Sequence, residues 1–220
     1  MQQAVIIQRT AEHVRTLLRG EGSGHDWGHI WRVWQQARHI AQAEGADLFV
    51  VELAALLHDI ADWKLHGGDE AVGPRRARAW LESLGVAEAV IAQVSHVIAH
   101  LSFKGEAAAQ EPLSLAGQVV QDADRLDAIG AIGVARAFAY GGHAGQVIYD
   151  PEHPVRRGMD KAAYQQANTT TINHFYEKLL LLKDRMNTPT ARALAEDRHA
   201  FMEAFLAQFY AELPGDAEDS

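Results

Sequence analysis

Residues 48–62 read LFVVELAALLHDIAD. Between Leu48 and Leu57 only Glu52 is charged, so a helix drawn through this run is apolar nearly all round. Such a helix belongs at the centre of a helical protein, covered on every side by others. The run ends in His58-Asp59, with Asp62 three residues further on. Polar groups placed directly after a buried run are costly unless something satisfies them, and a bound cation does that.

Working outward, helical periodicity returns on both sides. It predicts helices over about 2–18, 27–44, 48–60, 74–84 and 87–99, with Gly45 and Gly85 as stops and Pro74 in a first turn. A further helix is expected over about 114–138, interrupted near Asp122 or at the Gly130/Gly133 pair. Residues 141–160 carry no helical period and read as a long loop. Helix is expected again over 161–182 and 190–213, and the small acidic tail 214–220 reads as frayed. No strand-period segment and no internal repeat is present, so the expected class is all-α, one domain over residues 1–213.

Composition excludes several functions. There is no Cys, so disulfides, thiolate metal sites and Cys nucleophiles are out. The formal net charge of −9 argues against a generic nucleic-acid-binding face, which needs a basic surface. No apolar run is long enough to span a bilayer and no signal peptide is visible, so a soluble cytoplasmic protein is expected. The chain carries 12 His, and their placement decides the chemistry.

Three clusters draw attention. HDWGH spans residues 25–29, with His25 and His29 at a spacing that puts both on one face if the segment is helical, and Arg32 follows. His58-Asp59 is the second. QDADRLD, residues 121–127, is the third, with Asp124 and Asp127 on one helix face. Neutral imidazole with carboxylate, without thiolate, is a ligand set for Mn, Fe, Co, Ni or Zn.

A His, then His-Asp, then a distal Asp in a helical chain resembles the HD-domain metal-dependent phosphohydrolase superfamily. The segments HDWGHIWRV, AALLHDIAD, SFKG, VVQDADRLDAIGAIG and KLLLLKDRMNT look like one small, soluble bacterial branch of it. Position by position, the resemblance implies an HD-domain helical bundle with His29, His58, Asp59 and Asp124 as metal ligands. Asp124 is chosen over Asp122, which is expected near a helix start as a cap or outer contact. Asp62 stands where several nucleotidase relatives carry a Glu, placed to orient or deprotonate water, with Asp59 beside it. Arg32, Lys64, Lys104 and Arg125 are candidates for phosphate oxygens. His25, His96, His100 and Asp127 complete the candidate substrate contacts. The cofactor implied is one divalent transition-metal ion, with His96 and His100 as the pair for a second.

The activity implied is hydrolysis of a small phosphorylated substrate, a nucleotide first. A nucleoside or deoxynucleoside triphosphate cleaved to monophosphate and pyrophosphate leads, and monophosphate dephosphorylation comes next. Two readings from other classes compete. HDWGH has the spacing of the HExxH zinc-protease motif but lacks its Glu base. A regulatory module binding nucleotide and metal without turnover fits the same ligands.

Overall fold

The computed structural model describes residues 2–19, 26–61, 69, 71–101, 112–159 and 169–213. Among them lie helices α1 (Gln3–Leu17), α2 (Trp27–Glu44), α3 (Leu48–Leu57), α4 (Val72–Ser83), α5 (Glu88–His100), α6 (Leu115–Asp127), α7 (Gly130–His143), α8 (Thr171–Glu177) and α9 (Pro189–Ala211). Two 3₁₀ turns, Leu179–Leu181 and Lys183–Arg185, join the last pair. No strand occurs among the described residues. The fold is all-α, as the sequence pattern requires, and none of its described helices is long and apolar enough to cross a membrane.

The centre is α3. It packs against α1, α2, α5 and α6. Val50, Val51 and every residue from Leu53 to Leu57 are buried. Asp47 starts it, accepting from the amides of Phe49 and Val50, as an N-cap carboxylate should. α2 runs alongside and buries Ile30, Val33, Ala37, Ile40 and Ala41. The predicted end of α3 at Ile60 is three residues too late. The helix stops at Leu57, and His58 and Asp59 occupy the turn beyond it.

The predicted start of α2 holds, and two other expectations need correction. α2 begins at Trp27, because the Asp26 side chain caps it by accepting from the His29 amide at 2.8 Å. Asp26 is extended and outside the helix, and His25 lies outside the described residues. Asp122 does not start a helix. It sits mid-α6 with no exposed surface, and accepts from the amide and Nδ2 of Asn187 and from the amide and Oγ1 of Thr188. Thr188 in turn caps α9. Finally, the helix expected over 161–182 is not continuous through its described part, residues 169–182. Residues 160–168 lie outside the described set, Thr170 is extended and caps the short α8, and the chain then tightens into the 3₁₀ turns. β-branched Thr169–Thr171 favour that extended entry.

The non-helical stretch after α7 is anchored. Thr171 and Ile172 donate to the carbonyls of Val147 and Ile148. The buried Glu177 accepts from the amide, Nε and Nη2 of Arg156 and from Thr169 Oγ1. Burial pushes the Glu177 carboxyl up, but these donors hold it below the usual range.

Of the two break points offered for the 114–138 helix, the chain takes Gly130, at φ +74°. A side chain there would be strained, and its Cβ would press on Arg198 of α9. A Cβ at Gly133 would overlap the Ala128 carbonyl. The α6–α7 turn is thus closed by glycine at two points. Gly133→Ala is expected to cost about 1–3 kcal/mol through this overlap. The check is the melting temperature by circular dichroism, and an unchanged melt would show that the turn accommodates the methyl group.

Candidate metal centre

His29 sits one turn into α2, with its ring pointing inward and its side chain 1% exposed. His58 follows the last turn of α3, its side chain 4% exposed. Its Nδ1 lies 2.9 Å from the Ala55 carbonyl, which can only accept, so Nδ1 carries the proton and Nε2 carries the lone pair. His29 Nδ1 lies 2.8 Å from Asp127 Oδ2, and the same reasoning puts a proton on Nδ1, so that Nε2 bears the lone pair whenever the ring is neutral. The two Nε2 atoms face each other at 3.2 Å.

Two carboxylates join them. Asp59 Oδ2 is 3.4 Å from His29 Nε2 and 3.5 Å from His58 Nε2. Asp124 Oδ1, from α6, is 3.5 Å from His29 Nε2 and 3.9 Å from His58 Nε2. The tightest set is His29, His58 and Asp59, whose donor atoms lie within 4.8 Å of one another, with Asp124 beside it. Ligands about 2.1 Å from a shared ion stand about 3.0 Å apart across a right angle and about 3.4 Å apart across a tetrahedral one. Separations of 3.2–3.9 Å suit such an ion with little adjustment. Two converging imidazole lone pairs, buried and flanked by carboxylate oxygens, fit a divalent cation.

The electrostatics agree. Burial pushes the His29 imidazole down, but the hydrogen bonds to Asp127 and Asp59 outweigh it and raise the ring to about 9. Burial also pushes the Asp127 carboxyl up, yet His29 and Arg32 donate to it, and its pKa ends far below the usual carboxylate range. Arg32 supplies two bonds, Nε to Oδ1 at 2.6 Å and Nη2 to Oδ2 at 3.0 Å. Arg136 of α7 adds Nη1 to Oδ2 at 3.1 Å.

The candidates from sequence fall into three groups. His29, His58, Asp59 and Asp124 are brought together. His25, Asp62, Lys64 and Lys104 lie outside the described residues. The others are placed elsewhere than expected or on their own. Asp127, a candidate substrate contact, faces the His29 ring and two guanidiniums instead. It is buried behind His29. Arg125 is buried and its Nη1 donates to the Arg185 carbonyl, so it ties α6 to a 3₁₀ turn instead of facing a phosphate. Arg32 is engaged with Asp127 through two of its nitrogens. On α5 the rings of His96 and His100 lie 4.3 Å apart, and His100 Nδ1 bonds the His96 carbonyl at 2.7 Å.

Sequence reasoning missed Arg136. Its signal was available, since it is the one formally charged side chain between Gly130 and His143. A lone charge on a helix of small and apolar residues implies a partner.

A cavity of about 530 Å³ lies elsewhere, between α1 and the α2–α3 pair, lined by Ile7, Trp27, Trp34, Arg38 and Phe49 among others. None of the four donors lines it. The metal-centre reading rests on donor geometry, which is the more specific observation.

A family model described as HD domain matches residues 26–129. YpgQ of Bacillus subtilis is 44% identical over 218 residues, covering 96% of this chain and 98% of its own. The chain belongs to the HD-domain superfamily of hydrolases. The matched stretch begins at the Asp26 cap, ends one residue before Gly130, and contains all four donors. A solved Lactobacillus plantarum structure superimposes on this HD-domain chain with a TM-score of 0.85 at 40% identity, covering 96% of this chain and 98% of the other. A Bacillus thuringiensis HD-superfamily hydrolase gives 0.74 at 43% identity, again over 96% and 98%. YpgQ has been crystallised in complex with ADP, and that structure gives 0.78 at 38% identity over 98% of each chain.

A divalent ion at this HD-domain centre displaces the proton that His29 otherwise holds up to about pH 9. Lowering the pH below 9 therefore weakens metal binding, by about tenfold per pH unit for one released proton. Calorimetric titration of Co(II) into metal-free protein at pH 7 is expected to release close to one proton, read from buffers of different ionisation enthalpy. Proton release near zero, with an affinity flat between pH 6.5 and 8.5, would contradict the assignment.

Proposed function

We propose that this protein is a divalent-metal-dependent phosphohydrolase acting on nucleotides, with a nucleoside or deoxynucleoside triphosphate cleaved to monophosphate and pyrophosphate as the leading reaction. The observation that carries the reading is the asymmetry of the centre. Both histidines are enclosed, while the side chains of Asp59 and Asp124 are 30% and 36% exposed. A structural ion is closed in by its ligands, whereas a catalytic one keeps positions open on one side. Here the open side is the carboxylate side.

The residues divide the work accordingly. His29 and His58 hold from within as neutral ligands, and Asp59 and Asp124 offset charge at the rim. A divalent ion held there, manganese first among Mn, Co, Ni, Fe and Zn, supplies Lewis acidity and makes water a nucleophile at neutral pH. Asp62, three residues after Asp59, is the group to orient that water and take its proton. Lys64, Lys104 and the third guanidinium nitrogen of Arg32 are the groups for phosphate oxygens. His25 and His100 are further substrate contacts, with His100 nearer than His96. The net charge of −9 speaks for a small substrate rather than a nucleic-acid polymer, because a small anion needs only a local positive cleft. The ADP complex of YpgQ, a relative matched over nearly the full chain, supports a nucleotide ligand here. A nucleotide substrate goes with a cytoplasmic location.

The test is a phosphate-release screen of nucleoside mono-, di- and triphosphates with Mn(II), Co(II) or Ni(II). Phosphate that appears from triphosphates only when inorganic pyrophosphatase is added is the expected result. Direct phosphate release from monophosphates would replace this reaction with a nucleotidase. Binding of nucleotide and metal without any release would favour the regulatory module. Asp59→Ala and His58→Ala are expected to lose metal content and turnover together, with helical content retained by circular dichroism. Wild-type turnover from Asp59→Ala would sink the ligand assignment.

A further inference from the structure

The Asp127 carboxylate accepts four hydrogen bonds, which fills its lone-pair capacity. Oδ1 accepts from Arg32 Nε, and Oδ2 accepts from His29 Nδ1, Arg32 Nη2 and Arg136 Nη1. The donors come from two helices, α2 and α7, while Asp127 itself closes α6. Arg136 Nη1 also reaches the Asp127 carbonyl at 3.4 Å, so one guanidinium grips both the side chain and the backbone of this residue. The side chain of Asp127 is 6% exposed. A buried ion pair alone adds little net stability, because desolvation offsets most of the attraction. The arrangement needs another reason.

That reason lies in the imidazole. Asp127 can only accept, so it fixes the proton of His29 on Nδ1 and the ring in one orientation. Nε2 is then aimed at His58 Nε2, Asp59 and Asp124. Asp124 and Asp127 are three apart on α6, so one rigid helix turn supplies a donor to the centre and also the group that orients another donor. The two guanidiniums keep the carboxylate from rotating away, since any rotation breaks bonds to Arg32 and Arg136 together.

From this geometry we infer that Asp127, clamped by Arg32 and Arg136, is a positioning residue that sets His29 as a metal ligand. The inference rests on the metal-centre reading above and deepens it. It assigns Arg136 and two of the Arg32 nitrogens to the centre and not to the substrate. It is independent of which nucleotide the protein takes.

The experiment is a Co(II) titration followed by calorimetry and by the visible ligand-field spectrum, at one fixed pH, with no substrate. It compares wild type, Asp127→Asn, Arg136→Met and Arg136→Lys. Asp127→Asn keeps the shape but turns one acceptor into a donor facing guanidinium. Its Co(II) Kd is expected to rise about 10–100-fold with altered band positions. Arg136→Met is expected to raise the Kd about 3–10-fold, as the outermost partner, with Arg136→Lys restoring most of it. A merely structural clamp moves the melting temperature and leaves Kd and spectrum alone. A folded Asp127→Asn protein with wild-type Kd and spectrum overturns the inference. Should Asp127→Asn fail to fold, the Arg136 pair decides: wild-type Kd and spectrum in both overturn it, and loss in Met with rescue in Lys supports it. Wild-type protein that binds no Co(II) overturns the metal-centre reading itself, whereas wild-type binding with unaffected variants overturns only the role of Asp127.

Discussion

The Nε2 atoms of His29 and His58 stand 3.2 Å apart in the protein interior, a contact that a proton on His29 or a bound cation satisfies. Much of the architecture serves that contact. His29 must come from a helix entering the core, so α2 is capped by Asp26 immediately before it, and the ring lies among Ile30 and Val33. His58 must arrive from the opposite direction, so α3 ends at Leu57 and delivers it in the following turn. The imidazole does double duty there. Its Nδ1 satisfies the Ala55 carbonyl, one of the orphan acceptors every helix end leaves, while Nε2 turns inward.

The C-terminal end of α6 carries the complementary charge. A helix C-terminus has partial negative charge and favours cations. Arg136 reaches the Asp127 carbonyl, Arg198 of α9 reaches the Leu126 carbonyl at 2.5 Å, and Arg32 closes on the Asp127 side chain. Arg198 also donates to Gln36 of α2. These guanidiniums bind α2, α7 and α9 to one helix end. They explain why the chain turns so sharply at Gly130. Only a tight turn brings Arg136 back over Asp127, and Arg198 packs against the place where a side chain would stand.

The central helix was legible because its burial is written in ten residues with one charge. His58-Asp59 stood out because it ends a run that should otherwise be buried, whereas His29 and Asp124 were singled out through the family resemblance. The end of α3 was not legible. Nothing in the order Leu57-His58-Asp59 says that the His58 ring will cap its own helix. The role of Asp127 was hidden for a related reason. Its partners lie 98 and 95 residues earlier and nine later, so spacing along the chain places it with Asp124 and stays silent about His29, Arg32 and Arg136. The segment ending in Met186-Asn187-Thr188 shows the same limit. Its likeness to the family was readable, but its purpose is seen only when Asn187 and Thr188 meet the buried carboxylate of Asp122. Local periodicity reports which face is buried, whereas polar pairing across the fold is decided by topology.

Charge also reconciles an acidic chain with an anionic substrate. At the centre, Asp59, Asp124 and Asp127 face Arg32 and Arg136, and the proton that His29 holds below about pH 9 cancels the one negative charge left over. Such a site offers phosphate no net attraction on its own. A divalent ion held by His29, His58, Asp59 and Asp124 in place of the His29 proton would make the site positive, and only locally, because these donors are gathered at one point of the fold. For the polyphosphate substrate proposed above, affinity would thereby depend on the metal. The surrounding negative charge, −9 over the chain, opposes longer polyanions that would extend past that small positive region. The same clamp that orients His29 thus contributes to selectivity, since Arg32 and Arg136 set how far a bound ion shifts the balance.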